Sequence, residues 1–151
     1  MRGIPVKFVG WIPLLALLLC VGILGAIREN HFQSDIGWVK NYEAGLGQAR
    51  QTHKPLLLCF HTPSCEWCRK MDAETFTDAQ VIELSHRFVC VRLDSEVDAA
   101  VIAGYDVQEY PTTIIADSKG RALASLSGYL SSDRFARVLQ TASESLTGKS
   151  L

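Results

Sequence analysis

Pro55 opens five consecutive apolar residues, Leu56-Leu57-Leu58-Cys59-Phe60, and shortly past that run stands Cys65-Glu66-Trp67-Cys68. A strand with one wet face alternates apolar and polar residues. A strand apolar at every position needs cover on both faces, as the central strands of parallel sheets have. A second run, Phe88-Val89-Cys90-Val91-Arg92-Leu93, ends at Asp94, with a helical region from about Cys65 to His86 between the two. Strand, helix and strand read as a right-handed crossover joining two parallel strands. The Cys-x-x-Cys pair therefore falls where a central strand gives way to a helix.

The flanking sequence extends this α/β pattern. Trp38, Tyr42, Leu46 and Ala49 step by three and four, which predicts a helix ending near His53, weakened by Gly45 and Gly47. After the second run come a helix with Val101 and Ile102, a strand Thr112–Ala116, the turn Asp117-Ser118-Lys119-Gly120 and a strand Arg121–Ser127. That turn chemistry favours a hairpin. Ser132 is placed to cap a final helix with Phe135, Val138, Leu139, Ala142 and Leu146 as its apolar stripe. The expected sheet begins parallel and finishes antiparallel, flanked by helices.

Composition bounds the rest. The 151 residues suffice for one compact domain plus an extension. Fifteen Lys+Arg against 16 Asp+Glu, with no long run of one sign, leave no field to draw a polyanion, so nucleic acid is not an expected partner. Hydrophobic residues make up 48%, a fraction inflated by one N-terminal block; wholesale disorder and a polytopic membrane protein are both excluded. Five cysteines are too few and too unevenly spaced for a disulfide-framed scaffold.

The N-terminal block, Phe8 to Ile27, carries no charge, and as a helix would reach about 30 Å, the thickness of a bilayer's hydrocarbon core. Arg2 and Lys7 precede it, which directs the chain beyond Arg28 to the far side of the membrane. The expected organisation is a membrane anchor or signal segment over 1–30, a tether over 31–37, the folded domain over 38–146 and a tail over 147–151. The domain is expected to be extracytoplasmic, periplasmic or at the cell surface. An uncleaved transmembrane anchor fits the block's length; cleavage, which would free a soluble protein of residues 1–26, meets a poor small-x-small site at Leu24-Gly25-Ala26. Lipid attachment at Cys20 is opposed by Leu19, where a small residue is expected; otherwise Cys20 is an apolar residue facing lipid.

Chemistry concentrates at the dithiol. A helix start aims unpaired N–H groups and partial positive charge at Cys65, stabilising the thiolate that is the nucleophile of disulfide exchange. Cys68, one turn deeper, is near enough to resolve a mixed disulfide. A zinc site would ask for a second pair, and none exists; an inert structural disulfide is the remaining alternative to a redox dithiol. His31, His53 and His86 are scattered and point to no metal site. His61 reads either as a thiolate-stabilising ring or as a surface side chain, and Trp67 either as a partner contact or as cover for the helix start. Asp72 and Glu74 read as solvated helix residues in preference to general acids.

Over roughly residues 38–146 these features resemble the thioredoxin superfamily, and most closely the subgroup containing the C-terminal domain of the bacterial thiol:disulfide interchange protein DsbD. The matching text is Lys54-Pro55-Leu56-Leu57-Leu58, Cys65-Glu66-Trp67-Cys68-Arg69-Lys70-Met71, Glu74-Thr75-Phe76-Thr77-Asp78 and Val81, then Tyr105-Asp106-Val107, Tyr110-Pro111-Thr112, Asp117-Ser118-Lys119-Gly120 and Gly128. The resemblance implies a thioredoxin-like fold with a central mixed sheet. It makes Cys65 the attacking and Cys68 the resolving thiol, and the Tyr110–Pro111 bond cis, with the Tyr110 backbone beside the dithiol for an extended substrate strand. Taken alone, Pro111 would read as a trans strand-opener.

Three departures from the thioredoxin pattern qualify this. Thr62-Pro63-Ser64 replaces the Trp that generally precedes the first cysteine, and Glu66-Trp67 replaces Gly-Pro between the cysteines. An acidic Glu66 opposes thiolate formation, which favours the disulfide and makes the dithiol more reducing. Cys59 and Cys90 take the positions at which thioredoxins typically carry a buried Asp and a Lys. The expectation is that Cys59 and Cys90 lie close together beneath Cys68 on strands about 4.8 Å apart, either as inert buried thiols or as a second dithiol. Proton relay then falls to water or Glu66. The expected activity is extracytoplasmic thiol–disulfide exchange that reduces or isomerises protein disulfides. It needs no cofactor and draws electrons from a membrane or thioredoxin-like donor. The alternatives are a dithiol oxidase, or a non-enzymatic metal-binding or redox-inert adaptor.

Overall fold

A computed structural model describes residues 35–147. The expected anchor or signal segment, Cys20, the first part of the tether and the last residues of the tail lie outside the described residues. Among the described residues no helix is long and apolar enough to cross a membrane.

The chain enters through Ile36, which is buried in the core, and Val39, which bridges in parallel to Val91. Val39 N–H donates to the Cys90 carbonyl and its own carbonyl accepts from Arg92 N–H, each at 2.9 Å. These bonds hold Val39 extended, so the helix expected from Trp38 begins later. Helix α1 spans Tyr42–Thr52, capped by Asn41, whose side chain accepts from Ala44 N–H. Strand β1, Leu56–His61, comes next; its first five residues are all buried, as the unbroken apolar run required. Helix α2 is Glu66–Lys70, strand β2 is Val89–Asp94, and between them stands a helix α3, Ala79–Ser85.

The single helical region expected from Cys65 to His86 is thus broken. A π-helical turn, Met71–Thr75, continues α2 and closes with Phe76 N–H on the Met71 carbonyl. Asp78 then starts α3 afresh by accepting from the N–H groups of Gln80 and Val81. The fully buried Thr75 hydroxyl donates to the Leu130 carbonyl at 2.6 Å, pinning the turn to the chain beyond the sheet.

Helix α4, Ala99–Gly104, leads to strand β3, Thr112–Ala116; strand β4, Ala122–Ser127, and helix α5, Ser132–Thr147, finish the domain. Ser132 is the first helical residue, not the cap, because Phe135 N–H donates to the Ser131 carbonyl. The sheet order is β2-β1-β3-β4, with β1 parallel to β2, antiparallel to β3, and β3 antiparallel to β4. The expected parallel start and antiparallel finish are both present. Side-chain alternation along the strands builds two cores. Leu57, Cys59, Cys90 and Ile115 pack with Leu84, Phe135 and Leu139 from α3 and α5; Leu56, Leu58, Phe60 and Val91 pack with Leu46, Ala49 and Ile102 from α1 and α4. Gly45 lies in this second core where a Cβ would overlap Val91 Cγ2. The glycine that weakens the helix locally therefore lets it seat against β2.

Candidate active site

Strand β1 delivers the chain to a turn, Thr62-Pro63-Ser64, closed by Cys65 N–H donating to the Thr62 carbonyl at 3.1 Å. Cys65 is the N-cap of α2, with extended backbone, and its Sγ accepts from Cys68 N–H at 3.0 Å. That bond is the local source of thiolate stabilisation: an N–H already aimed at sulfur gains strength when the sulfur becomes an anion. Cys65 is half-buried, Cys68 is 4% exposed, and the two are joined as a disulfide with their Cα atoms 5.2 Å apart. A half-buried cysteine is thus joined to a covered one.

The Tyr110–Pro111 peptide is cis. Pro111 is buried and Tyr110 half-buried. The Pro111 carbonyl accepts from Gly128 N–H at 2.7 Å, tying the loop before β3 to the loop after β4. Cys68 and Pro111 line one small cavity of about 10 Å3, close to the room a single water needs, together with Cys59, Thr113, Asp72 and Arg92.

This cavity corrects the expectation for Cys59 and Cys90. Across β1 and β2, Cys59 faces Arg92, and Cys90 faces Leu57. The two-residue offset leaves the thiols on one face of the sheet but not opposite each other. Each has its own neighbour: Cys59 Sγ lies 4.0 Å from Thr113 Oγ1, and the Cys90 thiol donates to the Ser85 carbonyl at 3.6 Å. Both are free and buried, and only Cys59 lines the cavity beneath Cys68. Burial, with Cys90 nearby, pushes the Cys59 thiol far above its ordinary range, more than the Thr113 contact and Arg92 offset. Burial likewise pushes Cys90 up to about 12, against the Ser85 bond and Lys54.

An acid–base pair does stand beneath the dithiol, built from residues that no local motif marks. Arg92 Nη1 and Nη2 donate to Asp72 Oδ1 and Oδ2, both at 2.7 Å, with side chains 24% and 33% exposed. Asp72 is not a solvated helix residue: the π-helical turn carries it to β2. Burial alone would ease the guanidinium's proton off, but the paired bond and charge of Asp72 outweigh it and hold Arg92 more firmly protonated than usual. One signal was available: Arg92 is the lone charge inside the run Phe88–Leu93, and a charge at such a place demands a carboxylate partner.

Of the remaining predicted residues, His61 also lines the cavity beneath Cys68. His61 Nδ1 is 3.9 Å from Asp94 Oδ2; burial and Arg92 lower its proton affinity more than Asp94 raises it, which favours a neutral ring. Glu66 is exposed, outside the cavity lining. Trp67 is 55% exposed, its ring 5.8 Å from that of Tyr129. Glu74, read as solvated, accepts from the Tyr129 hydroxyl at 2.7 Å. Among the described residues no group of three or more His, Cys, Asp or Glu side chains is placed to hold a metal ion.

A disulfide at a helix start after a central strand, beside a cis proline opening the next antiparallel strand, defines the thioredoxin class of folds. Residues 42–143 match the thioredoxin-like domain family, and the chain belongs to it. Anterior gradient protein 3 of Mus musculus is 28% identical over 95 residues, covering 62% of this chain and 57% of that protein. Its Xenopus tropicalis counterpart is 30% identical over 104 residues, covering 67% and 62%. The chain thus spans about three fifths of the length of these relatives. Among solved structures, the DsbH oxidoreductase superposes with a TM-score of 0.61 at 22% identity, covering 72% of this chain and 85% of that one. The reduced C-terminal domain of Neisseria meningitidis DsbD gives 0.59 at 22% identity, covering 66% and 92%. The fold likeness to DsbD implied by the sequence motifs is present.

Proposed function

We propose that this protein is a thiol–disulfide oxidoreductase that reduces or isomerises protein disulfides through Cys65 and Cys68. The observation that carries the reading is the pair itself, a half-buried cysteine whose Sγ accepts a backbone N–H, joined to a covered one. In the reduced form the Cys65 thiolate attacks one sulfur of a partner disulfide, whose other sulfur leaves as a thiolate and takes up a proton. Cys68, deprotonated, then attacks Cys65 Sγ and expels the partner's first sulfur. The partner gains two electrons and the Cys65–Cys68 disulfide forms. The Tyr110 backbone beside Pro111 pairs with the extended substrate strand, and Trp67 contacts the partner. Asp72, held by Arg92 at the cavity under Cys68, is better placed than the exposed Glu66 to take the Cys68 proton through one water.

One feature favours reduction over oxidation. The carboxylate of Glu66, beside the dithiol, opposes thiolate formation, which favours the disulfide product. Recycling then requires a thiol donor, membrane-bound or thioredoxin-like. The uncharged Phe8–Ile27 block behind Arg2 and Lys7 supports a domain held at the extracytoplasmic face of a membrane. Trapping tests the reading: in cells carrying Cys68→Ala, partner proteins accumulate as mixed disulfides on Cys65, released by dithiothreitol and absent when Cys65 is replaced as well. Equal recovery from the double variant refutes it.

A further inference from the structure

Beside the dithiol, and not used by the exchange chemistry, lies a pair of rings held by charges. Trp67 and Tyr129 stand 5.8 Å apart at 45°, and Lys70 Nζ lies 5.2 and 4.9 Å from their respective ring centroids. The far end of Tyr129 is fixed as well, its hydroxyl donating to Glu74. Glu74 and Lys70 are four residues apart on the helical segment after Cys68, so one short stretch of chain grips the tyrosine at ring and hydroxyl. From the other side, Gly128, at φ +84, donates its N–H to the Pro111 carbonyl, which hangs the Tyr129 loop on the cis-proline loop.

Trp67 is the largest exposed apolar side chain among the described residues, and it lies between the two cysteines. A polypeptide that brings a cysteine to Cys65 and runs along Tyr110 is bounded by this pair. Rings already immobilised lose little entropy when a third ring packs on them, and aromatic pairs attract beyond the area they bury. We infer that Trp67 and Tyr129, clamped by Lys70 and Glu74, form a specificity platform that selects protein disulfides whose exchanging cysteine has an aromatic residue as its neighbour. This rests on the exchange function proposed above and adds the class of substrate to it.

The test uses the reduced full-length chain and three oxidants: a peptide disulfide with Phe beside its cysteine, the same peptide with Ala there, and glutathione disulfide. Second-order rate constants are read by acid quench and mass analysis. The Phe peptide is expected to exchange about tenfold faster than the Ala peptide. Trp67→Ala and Tyr129→Ala should each cut that ratio to about threefold or less, while Tyr129→Phe, which keeps the ring and loses the Glu74 bond, should retain most of it. A ratio near one in the unaltered chain, or a ratio that survives both alanine variants, overturns the inference while leaving exchange itself intact. Failure of all three oxidants to form the Cys65–Cys68 disulfide removes the exchange function and the platform with it.

Discussion

The Asp72–Arg92 pair links the segment bearing the dithiol to the sheet through two bonds of 2.7 Å, and its rupture has a calculable cost. Fully exposed ion pairs contribute about 0.2–1 kcal/mol, whereas removing one member of a buried pair costs about 3–5 kcal/mol. With side chains 24% and 33% exposed and two bonds of 2.7 Å, this pair falls between those limits, and we place the loss at about 1–2 kcal/mol for either Asp72→Asn or Arg92→Met. For a folded unit of the size of residues 35–147, that lowers Tm by about 4–8 °C. Urea unfolding of the disulfide form, for both single variants and the double variant, isolates the pair: the coupling energy should reach about 1 kcal/mol. The same variants should move the redox potential in opposite directions. Asp72→Asn leaves an unopposed cation near Cys68, stabilises thiolate and raises the potential; Arg92→Met leaves an unopposed carboxylate and lowers it, each by about 10–20 mV. Additive single losses, or potentials moving the same way, would refute the electrostatic argument.

The two glycines of α1 should respond to alanine with opposite signs. Gly45→Ala drives a methyl into Val91 and should cost about 1–3 kcal/mol; Gly47→Ala meets nothing within 4 Å and should stabilise by up to about 1 kcal/mol, both measured as urea midpoints. Cys59 and Cys90, buried with raised thiol pKa, should resist iodoacetamide at pH 8 in the folded reduced protein while Cys65 reacts, and both should label once the chain is unfolded; rapid native labelling of Cys59 would contradict its position. His61 is easier to deprotonate in the folded chain than its ordinary value of 6.5, so its contribution to stability is fully present above pH 6.5 and is lost as pH falls through its lower folded value. The stability lost between pH 7.5 and 5 should therefore be smaller in His61→Gln, as read by urea unfolding at each pH.

Much of the fold was legible because its two parallel strands are written as apolar runs of strand length, Leu56–Phe60 and Phe88–Val91, which read as strands covered on both faces. The helix boundaries were harder. Periodicity carried α1 back to Trp38, since a three-four spacing does not record that Val39 finds backbone partners on β2. The turn at Phe76–Asp78 was hidden for a similar reason, because Asp78 reads as one more polar residue until its carboxylate is seen capping α3. At the candidate site, Cys65 and Cys68 were picked out by the Cys-x-x-Cys motif and Pro111 by the family resemblance. Asp72, Arg92 and Tyr129 were missed because their partners stand on other elements, 20 and 55 residues away in sequence for the Arg92–Asp72 and Tyr129–Glu74 bonds. The offset of Cys59 and Cys90 was missed by counting along each strand without the register between them.

The central claim is that Cys65 and Cys68 are a reversible two-electron couple poised for reduction. Equilibration of the full-length chain in graded thiol–disulfide buffers, with the Cys65–Cys68 disulfide quantified by mass after acid quench, tests it directly. A single two-electron transition is expected at a potential more negative than about -180 mV. A midpoint near -120 mV would make the protein an oxidant, and a pair that never opens or closes across the series would make the disulfide structural.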